Sequence, residues 1–212
     1  MYLGVYVLPL LLSDADFLIK TAREAIESYL NNRELPERPN SLPSSLVRPA
    51  AAFVTINKLQ SGENKELRGC IGVCETESPL VDIVIEMAIA SSTRDPRFPP
   101  LLANELGEIV LEISILTPLS LINVKSPKDY PNIIRVGRDG LVVHWRGLSG
   151  TLLPQVSIEY DWSPEEFLSN VCVKAGAPSS SWLFGDAKIY RFQAEIFGES
   201  SPRGPVVLRN PH

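Results

Sequence analysis

Apolar residues recur at helical spacing in three parts of the chain, and each part carries end signals. The predicted helices cover residues 13–30, 79–92 and 163–176. The first begins at Ser13, whose hydroxyl suits a helix N-cap, and the second begins at Pro79, which a first helical turn accepts. The third opens with a capping box between Ser163 and Glu166 and ends at Gly176.

Alternating or continuously apolar stretches predict strands. They cover residues 52–59, 67–74, 109–115 and 187–197, with 151–160 as an extended segment that Pro154 interrupts. Residues 61–64 predict a turn, and Arg138-Asp139-Gly140 predicts a second hairpin because Asp-Gly suits a positive-φ turn. Hairpins outnumber βαβ patterns, so we expect an α+β fold of mainly antiparallel sheets with flanking helices.

Three segments fall outside these elements. Residues 2–12 are apolar, but they lack the basic residue of a secretory signal and the length of a membrane span, so we expect a buried strand or a packed arm. Residues 34–49 are rich in proline and serine and predict a connecting arm. Residues 93–100, TRDPRFPP, hold too many prolines for regular structure and too many charges for a simple linker.

Composition and charge narrow the function classes. The chain has 212 residues, 44% of them hydrophobic and 21% charged, which suits a globular protein with a substantial core. A net charge of −5 disfavours a protein that binds nucleic acid through its overall charge, although a local basic patch stays compatible. With no signal or membrane span expected, we predict a cytoplasmic protein without membrane association.

The cysteines indicate free thiols rather than disulfides or metal ligands. Cys70, Cys74 and Cys172 are an odd number in a long chain, as is typical of a reducing compartment. The sequence has no CxxC pair, and Glu77 stands where an iron–sulfur motif after Cys74 needs its third ligand. No glycine-rich loop precedes a helix in a dinucleotide or Walker pattern. We therefore expect no metal and no cofactor.

The octapeptide ELRGCIGV, residues 66–73, places Cys70 between Gly69 and Gly72 and two residues after Arg68. A neighbouring guanidinium favours the thiolate form, provided that the strand is regular and both side chains share a face. The alternative is that Cys70 only packs in the core. The octapeptide also lacks the aromatic rings with which a similar RNA-binding octamer stacks on bases. His144, the internal histidine, fits a solvent-facing strand position better than the role of a catalytic base.

Four further residues are candidates for binding. Asp95 and Arg97 lie in the loop that the prolines make rigid. They form either a surface ion pair or one preorganised side of a ligand-binding site. Gln155 follows Pro154 and offers an amide at an irregular point of a strand. Lys174 lies near the end of the third helix, where its charge either complements the helix dipole or binds a ligand.

Several motifs occur in order along the chain. They are LRGCIG (67–72), DPRFPPL (95–101), EISILTP (112–118), VGRDGL (136–141), LLPQV (152–156), KAG.P (174–178) and YRFQAEIF (190–197). The sequence resembles the AMME chromosomal region protein family over about residues 14–205. The resemblance implies one family module of two unequal, intimately packed subdomains, whose boundary the sequence does not assign, with the motif residues near a cleft between them.

No reaction is assigned to this family, so the resemblance does not name one. Prokaryotic members often accompany a Memo-like protein and a radical SAM protein, so the resemblance implies a pathway shared with these two proteins. Our leading hypothesis is a thiol-dependent enzyme, or enzyme component, that acts on a small substrate. Its proposed site residues are Cys70 and Arg68 for catalysis, and Gly69, Gly72, Asp95, Arg97, Gln155 and Lys174 for substrate binding. The alternative is a non-catalytic adaptor whose glycines admit a partner protein.

Overall fold

The secondary structure of the chain is that of a computed structural model, which describes residues 10–32, 34, 38, 41–60 and 65–209. The predicted turn at 61–64, most of residues 33–40 and most of the apolar amino terminus lie outside these residues. The helices are α1 (Leu12–Asn32), α2 (Leu80–Thr93), α3 (Tyr130–Ile133), α4 (Pro154–Glu159) and α5 (Pro164–Lys174). The strands are β1 (Ala52–Leu59), β2 (Lys65–Gly72), β3 (Ile109–Leu116), β4 (Ser120–Leu121), β5 (Gly140–Trp145), β6 (Leu148–Leu152), β7 (Lys188–Phe192), β8 (Ala194–Glu199) and β9 (Val206–Arg209).

The chain forms two compact units of unequal size. The first unit consists of the described residues up to Leu116 together with 195–209, and the second consists of residues 117–194. The ends of the second unit are joined by two hydrogen bonds. The Thr117 N–H donates to the Gln193 carbonyl at 2.9 Å, and the Gln193 N–H donates to Thr117 Oγ1 at 2.8 Å.

The first unit is a five-stranded sheet in the order β2-β1-β3-β8-β9, with β1 antiparallel to both of its neighbours. The apolar faces of α1 and α2 pack on one side of it, and the resulting core includes Leu18, Ile26, Val54, Val84, Leu111 and Ile113. A buried ion pair joins α1 to β8. Arg23 Nε donates to Glu199 Oε1 at 2.9 Å, and the same guanidinium also donates to the carbonyls of Leu106 and Ile109.

The second unit is a four-stranded antiparallel sheet in the order β4-β7-β5-β6. Helix α5 packs on it, and their shared core includes Leu141, Val143, Phe167, Leu168, Val171 and Ile189. The predicted capping box starts α5. The Glu166 N–H donates to Ser163 Oγ at 3.2 Å, and the Ser163 N–H donates to Glu166 Oε2 at 2.8 Å.

The α+β prediction with mainly antiparallel sheets is confirmed, and three local predictions are wrong. Residues 151–160 are not one extended segment, because Pro154 opens helix α4, where a first turn needs no N–H from it. No hairpin turns at residues 138–140, because α3 and a bend precede β5, and the positive φ of 79° belongs to Gly137. The predicted strand 187–197 is two strands that belong to different sheets.

Candidate functional site

Cys70 lies on β2, which is an edge strand of the first sheet. An edge strand leaves backbone groups without a strand partner, and side chains of the loop after α2 occupy them at Cys70. The Cys70 N–H donates to Asp95 Oδ2 at 2.8 Å, and Arg97 Nη2 donates to the Cys70 carbonyl at 3.1 Å. Asp95 and Arg97 therefore fix the backbone of the residue that carries the thiol.

Asp95 and Arg97 also hold each other in place. Arg97 donates from Nε to Asp95 Oδ1 at 2.9 Å and from Nη2 to Oδ2 at 2.6 Å. Asp95 is only 4% exposed. The bonds from Arg97, together with the backbone N–H groups of Cys70 and Arg97, outweigh this burial and lower the pKa of Asp95 from 3.8 to about 2. The pair is thus built into the site, and its contact with a substrate stays a prediction.

The hydrogen bonds of Arg68 tie β2 to the following loop. Arg68 Nε donates to Glu105 Oε1 at 2.9 Å, Nη2 donates to Oε2 at 3.0 Å, and Nη1 donates to the Pro99 carbonyl at 2.8 Å. Both members of the ion pair are largely buried, with side chains 13% and 17% exposed. These contacts favour a role for Arg68 in holding the loop.

The strand is irregular at Arg68. Ile56 pairs with Gly69 while Asn57 pairs with Leu67, so Arg68 is the extra residue of a β-bulge. Activation of the thiol by Arg68 depended on a regular strand, in which residues i and i+2 share a face. The nearby guanidinium that lowers the pKa of Cys70 is that of Arg97. A catalytic role for Arg68 stays a prediction without support from these contacts.

The two glycines of the motif are required by packing inside the chain. A Cβ at Gly69 would overlap with the Ser91 carbonyl of α2, so the missing side chain lets the helix approach the strand. A Cβ at Gly72 would overlap with the Phe53 ring, which belongs to its cross-strand neighbour. Contact of either glycine with a substrate stays a prediction.

Cys70, Thr55 and Glu112 form a row across three adjacent strands. Thr55 pairs with Cys70 on one side and with Glu112 on the other, which places the three side chains on one face of the sheet. The Thr55 hydroxyl donates to Cys70 Sγ at 3.2 Å. Burial raises the pKa of the half-buried thiol, and the bond from Thr55 and the charge of Arg97 partly oppose that rise.

Glu112 brings a carboxyl group to this row. Burial raises its pKa, although the charges of Lys65 and Arg209 oppose the effect, and Lys65 Nζ lies 3.8 Å from Glu112 Oε2. Sequence analysis placed Thr55 and Glu112 in the predicted strands 52–59 and 109–115, and Glu112 also in the motif EISILTP, but it proposed neither as a site residue. Their relation to Cys70 depends on strand order and register, for which no local sequence signal exists.

The remaining predicted site residues, Gln155 and Lys174, belong to the second unit. Gln155 is half-buried in the first turn of α4, and its Oε1 is buried without a hydrogen-bond partner among the described residues. Lys174 is the exposed last residue of α5, as expected of a cation that complements the helix dipole. A role for either in substrate binding stays a prediction.

The other two cysteines are both at least half-buried. Cys172 is buried in the core of the second unit, and Cys74 is half-buried. In the described part of the chain, no cluster of three or more His, Cys, Asp or Glu side chains is arranged to bind a metal ion. None of the helices described here combines the length and apolar character of a membrane span.

Comparison with known proteins gives consistent results. The family model AMMECR1 matches residues 19–197. A protein of Thermofilum pendens is 46% identical over 197 residues, which cover 91% of this chain and 92% of its own. Protein MJ0810 of Methanocaldococcus jannaschii is 44% identical over 198 residues, which cover 93% of this chain and 96% of its own. The crystal structure of uncharacterized protein PH0010 from Pyrococcus horikoshii is 44% identical, with a TM-score of 0.89 over 93% of this chain and 97% of its own.

Proposed function

We propose that this chain, which belongs to the AMMECR1 family, is a thiol-dependent enzyme, or component of one, that acts on a small substrate through Cys70. The observation that carries the proposal is the row of thiol, hydroxyl and carboxyl groups formed by Cys70, Thr55 and Glu112. The resemblance to the family, found first in its sequence motifs, is confirmed by the family model and by the archaeal relatives.

The row and Arg97 supply part of what thiol chemistry needs, namely support for the sulfur anion. Cysteine reacts as the thiolate, and burial holds the Cys70 thiol in its protonated form. Glu112 lies two strands from Cys70, about 10 Å away at the ordinary strand spacing, so the base that takes the thiol proton comes from the solvent or the substrate. When the proton leaves Sγ, the hydrogen bond from Thr55 and the charge of Arg97 stabilise the sulfur anion.

The adaptor alternative has less support. It required the motif glycines to admit the backbone of a partner protein. The space beside Gly69 is filled by the Ser91 carbonyl and that beside Gly72 by the Phe53 ring, both from this chain. The glycines therefore have a sufficient internal explanation. Association with Memo-like or radical SAM proteins stays a prediction of the family resemblance.

Alkylation of the folded protein with iodoacetamide, followed by mass spectrometry, tests the proposal. We expect modification at Cys70, at a rate that rises with pH because burial raises the pKa of this thiol. Cys74→Ser, which removes the other half-buried thiol, serves as the matched control and keeps this labelling. Labelling of Cys70 no faster than of the buried Cys172 would refute a reactive thiol.

Glu112→Gln tests how the carboxyl end of the row acts on the thiol. The negative charge of Glu112 raises the pKa of Cys70, so its removal should increase the thiolate fraction. We expect Cys70 of the variant to be alkylated faster at pH 7 than Cys70 of the unmodified chain. A slower rate would mean that Glu112 promotes loss of the thiol proton.

A further inference from the structure

A cavity of about 580 Å³ lies within the second unit. Three arginines, Arg135, Arg138 and Arg191, and one acidic residue, Asp139, contribute to its lining. These side chains give the lining a net charge of +2, whereas the whole chain has a formal net charge of −5. A concave surface with such a local excess of positive charge attracts anions.

Asp139 organises two of the arginines. Its fully buried carboxylate accepts hydrogen bonds at 2.9 Å from the Arg135 N–H and from both Nε and Nη2 of Arg138. The loop from Arg135 to Asp139 is thereby closed on itself, with Gly137 supplying the positive φ of its bend. Arg138 already matches the charge of Asp139, so Arg135 and Arg191 have no counter-charge in the lining.

Arg191 is the one of the three arginines whose position on a strand leaves its charge half-buried. It lies on β7, between Ser120 of β4 and Leu141 of β5, and it is half-buried. Within the described ranges its guanidinium makes no hydrogen bond and no ion pair. A half-buried cation that loses hydration without gaining a partner raises the free energy of the folded state. An anionic ligand in the cavity would supply the missing partner.

We propose that this cavity binds a small phosphorylated molecule, with the phosphate group held by Arg135, Arg138 and Arg191. Arginine forms paired N–H bonds to phosphate oxygens, and the three free oxygens of a phosphate monoester suit three guanidinium groups better than the two of a carboxylate. The volume of the cavity falls within the range of about 300–1,000 Å³ for small-molecule sites, so it also has room for an organic part of the ligand beyond the phosphate group.

The rest of the lining suits such an organic part. Ile133 offers apolar surface, while Asn132 and Gln193 offer amide groups for hydroxyl or carbonyl substituents. The Phe192 ring is buried and packs against Gly140, where a Cβ would overlap with it. The cavity therefore combines one strongly polar group of residues with apolar surface, as is typical of ligand pockets.

Isothermal titration of the full chain with inorganic phosphate tests the proposal. We expect saturable binding, and Arg191→Gln should weaken it at least about tenfold because charge-assisted hydrogen bonds are lost. Lys188→Gln is the matched control, since it removes an equal charge from an exposed position of the same strand outside the lining. It should change the affinity less than about twofold, on the weak effect of an exposed charge. Cys70→Ser should bind phosphate like the unmodified chain.

Each of the following results would overturn the proposal. The first is an absence of saturable phosphate binding, or equal losses in Arg191→Gln and Lys188→Gln. The second is tighter binding of malonate than of phosphate, which would indicate a carboxylate ligand. The third is tighter binding of a short single-stranded oligonucleotide, with a steep salt dependence, which would indicate nucleic acid. Should Arg191→Gln fail to fold by circular dichroism, Arg135→Gln at an exposed loop position replaces it, with weaker phosphate binding expected.

Discussion

At the scale of single residues, the Cys70 thiol is subject to opposing influences. Burial raises its pKa most strongly, whereas the Thr55 hydroxyl and the Arg97 guanidinium lower it. Because burial dominates, the thiol is protonated at neutral pH, and a reaction needs a base or a substrate that shifts the proton. The site is therefore a resting thiol with built-in support for the anion, unlike a permanently activated thiolate.

Thr55→Val tests that support directly. The substitution keeps the shape of the side chain and removes the hydroxyl that donates to Cys70 Sγ. We expect alkylation of Cys70 at pH 8 to be roughly two- to tenfold slower, because one hydrogen bond to the thiolate is lost. Thr55→Ser keeps the hydroxyl and should retain the rate. Equal rates in both variants would mean that Thr55 does not stabilise the anion.

Asp95 links the site to stability at low pH. Its pKa is about 2 in the folded chain and 3.8 ordinarily, so the unfolded chain binds more protons between these values. The carboxylate therefore stabilises the fold fully above about pH 4, and this contribution is lost as the pH falls through 2. We expect Asp95→Asn to lower the free energy of unfolding at pH 7 by about 1–3 kcal/mol and to flatten its decline below pH 4.

Urea unfolding at several pH values measures both effects of Asp95→Asn. The matched control is Asp16→Asn, which breaks an exposed pair with Lys20 on α1. The control should change the free energy of unfolding by less than about 0.5 kcal/mol. Equal losses in the two variants would show that the bonds from Asp95 to Cys70 and Arg97 do not stabilise the fold.

At the scale of elements, the contact between α2 and β2 depends on Gly69. The Ser91 hydroxyl accepts from the Ile71 N–H at 2.9 Å and donates to the Val54 carbonyl at 2.7 Å, so α2 also bridges two strands. Gly69→Ala would force the helix away, because its Cβ overlaps with the Ser91 carbonyl. We expect a loss of about 1–3 kcal/mol in the free energy of unfolding.

Gly107→Ala is the control for that substitution. No atom lies within 4 Å of the Cβ position at Gly107, so an alanine there fits without displacing a neighbour. Thermal unfolding followed by circular dichroism compares the two variants. A loss in Gly69→Ala no larger than that in Gly107→Ala would show that close approach of the helix does not require the glycine.

Periodicity predicted the three long helices α1, α2 and α5 and most strands, because their apolar faces repeat along the chain. It did not identify α4, since Pro154 is compatible both with an interrupted strand and with the first turn of a helix. The motif identified Cys70, but its neighbours Thr55 and Glu112 come from strands whose order and register are properties of the sheet. Gly69 marked a point where this strand could be irregular, but the sequence did not show that the bulge leaves Arg97, and not Arg68, as the cation that acts on the thiol.

At the scale of the whole molecule, the second unit is a continuous segment within a discontinuous first unit. Residues 117–194 contain the complete β4-β7-β5-β6 sheet and a core of their own around α5. Their ends are hydrogen-bonded to each other through Thr117 and Gln193. A segment with its own core and adjacent ends has the properties of an inserted domain.

We therefore expect residues 117–194 to fold when expressed alone, with a single cooperative urea transition by circular dichroism. The matched control is the fragment 117–183, which lacks β7. Because β7 lies between β4 and β5, its loss splits the sheet and removes Ile189 from the core, so this fragment should show no cooperative transition. A non-cooperative transition of 117–194 itself would mean that the second unit needs the first in order to fold.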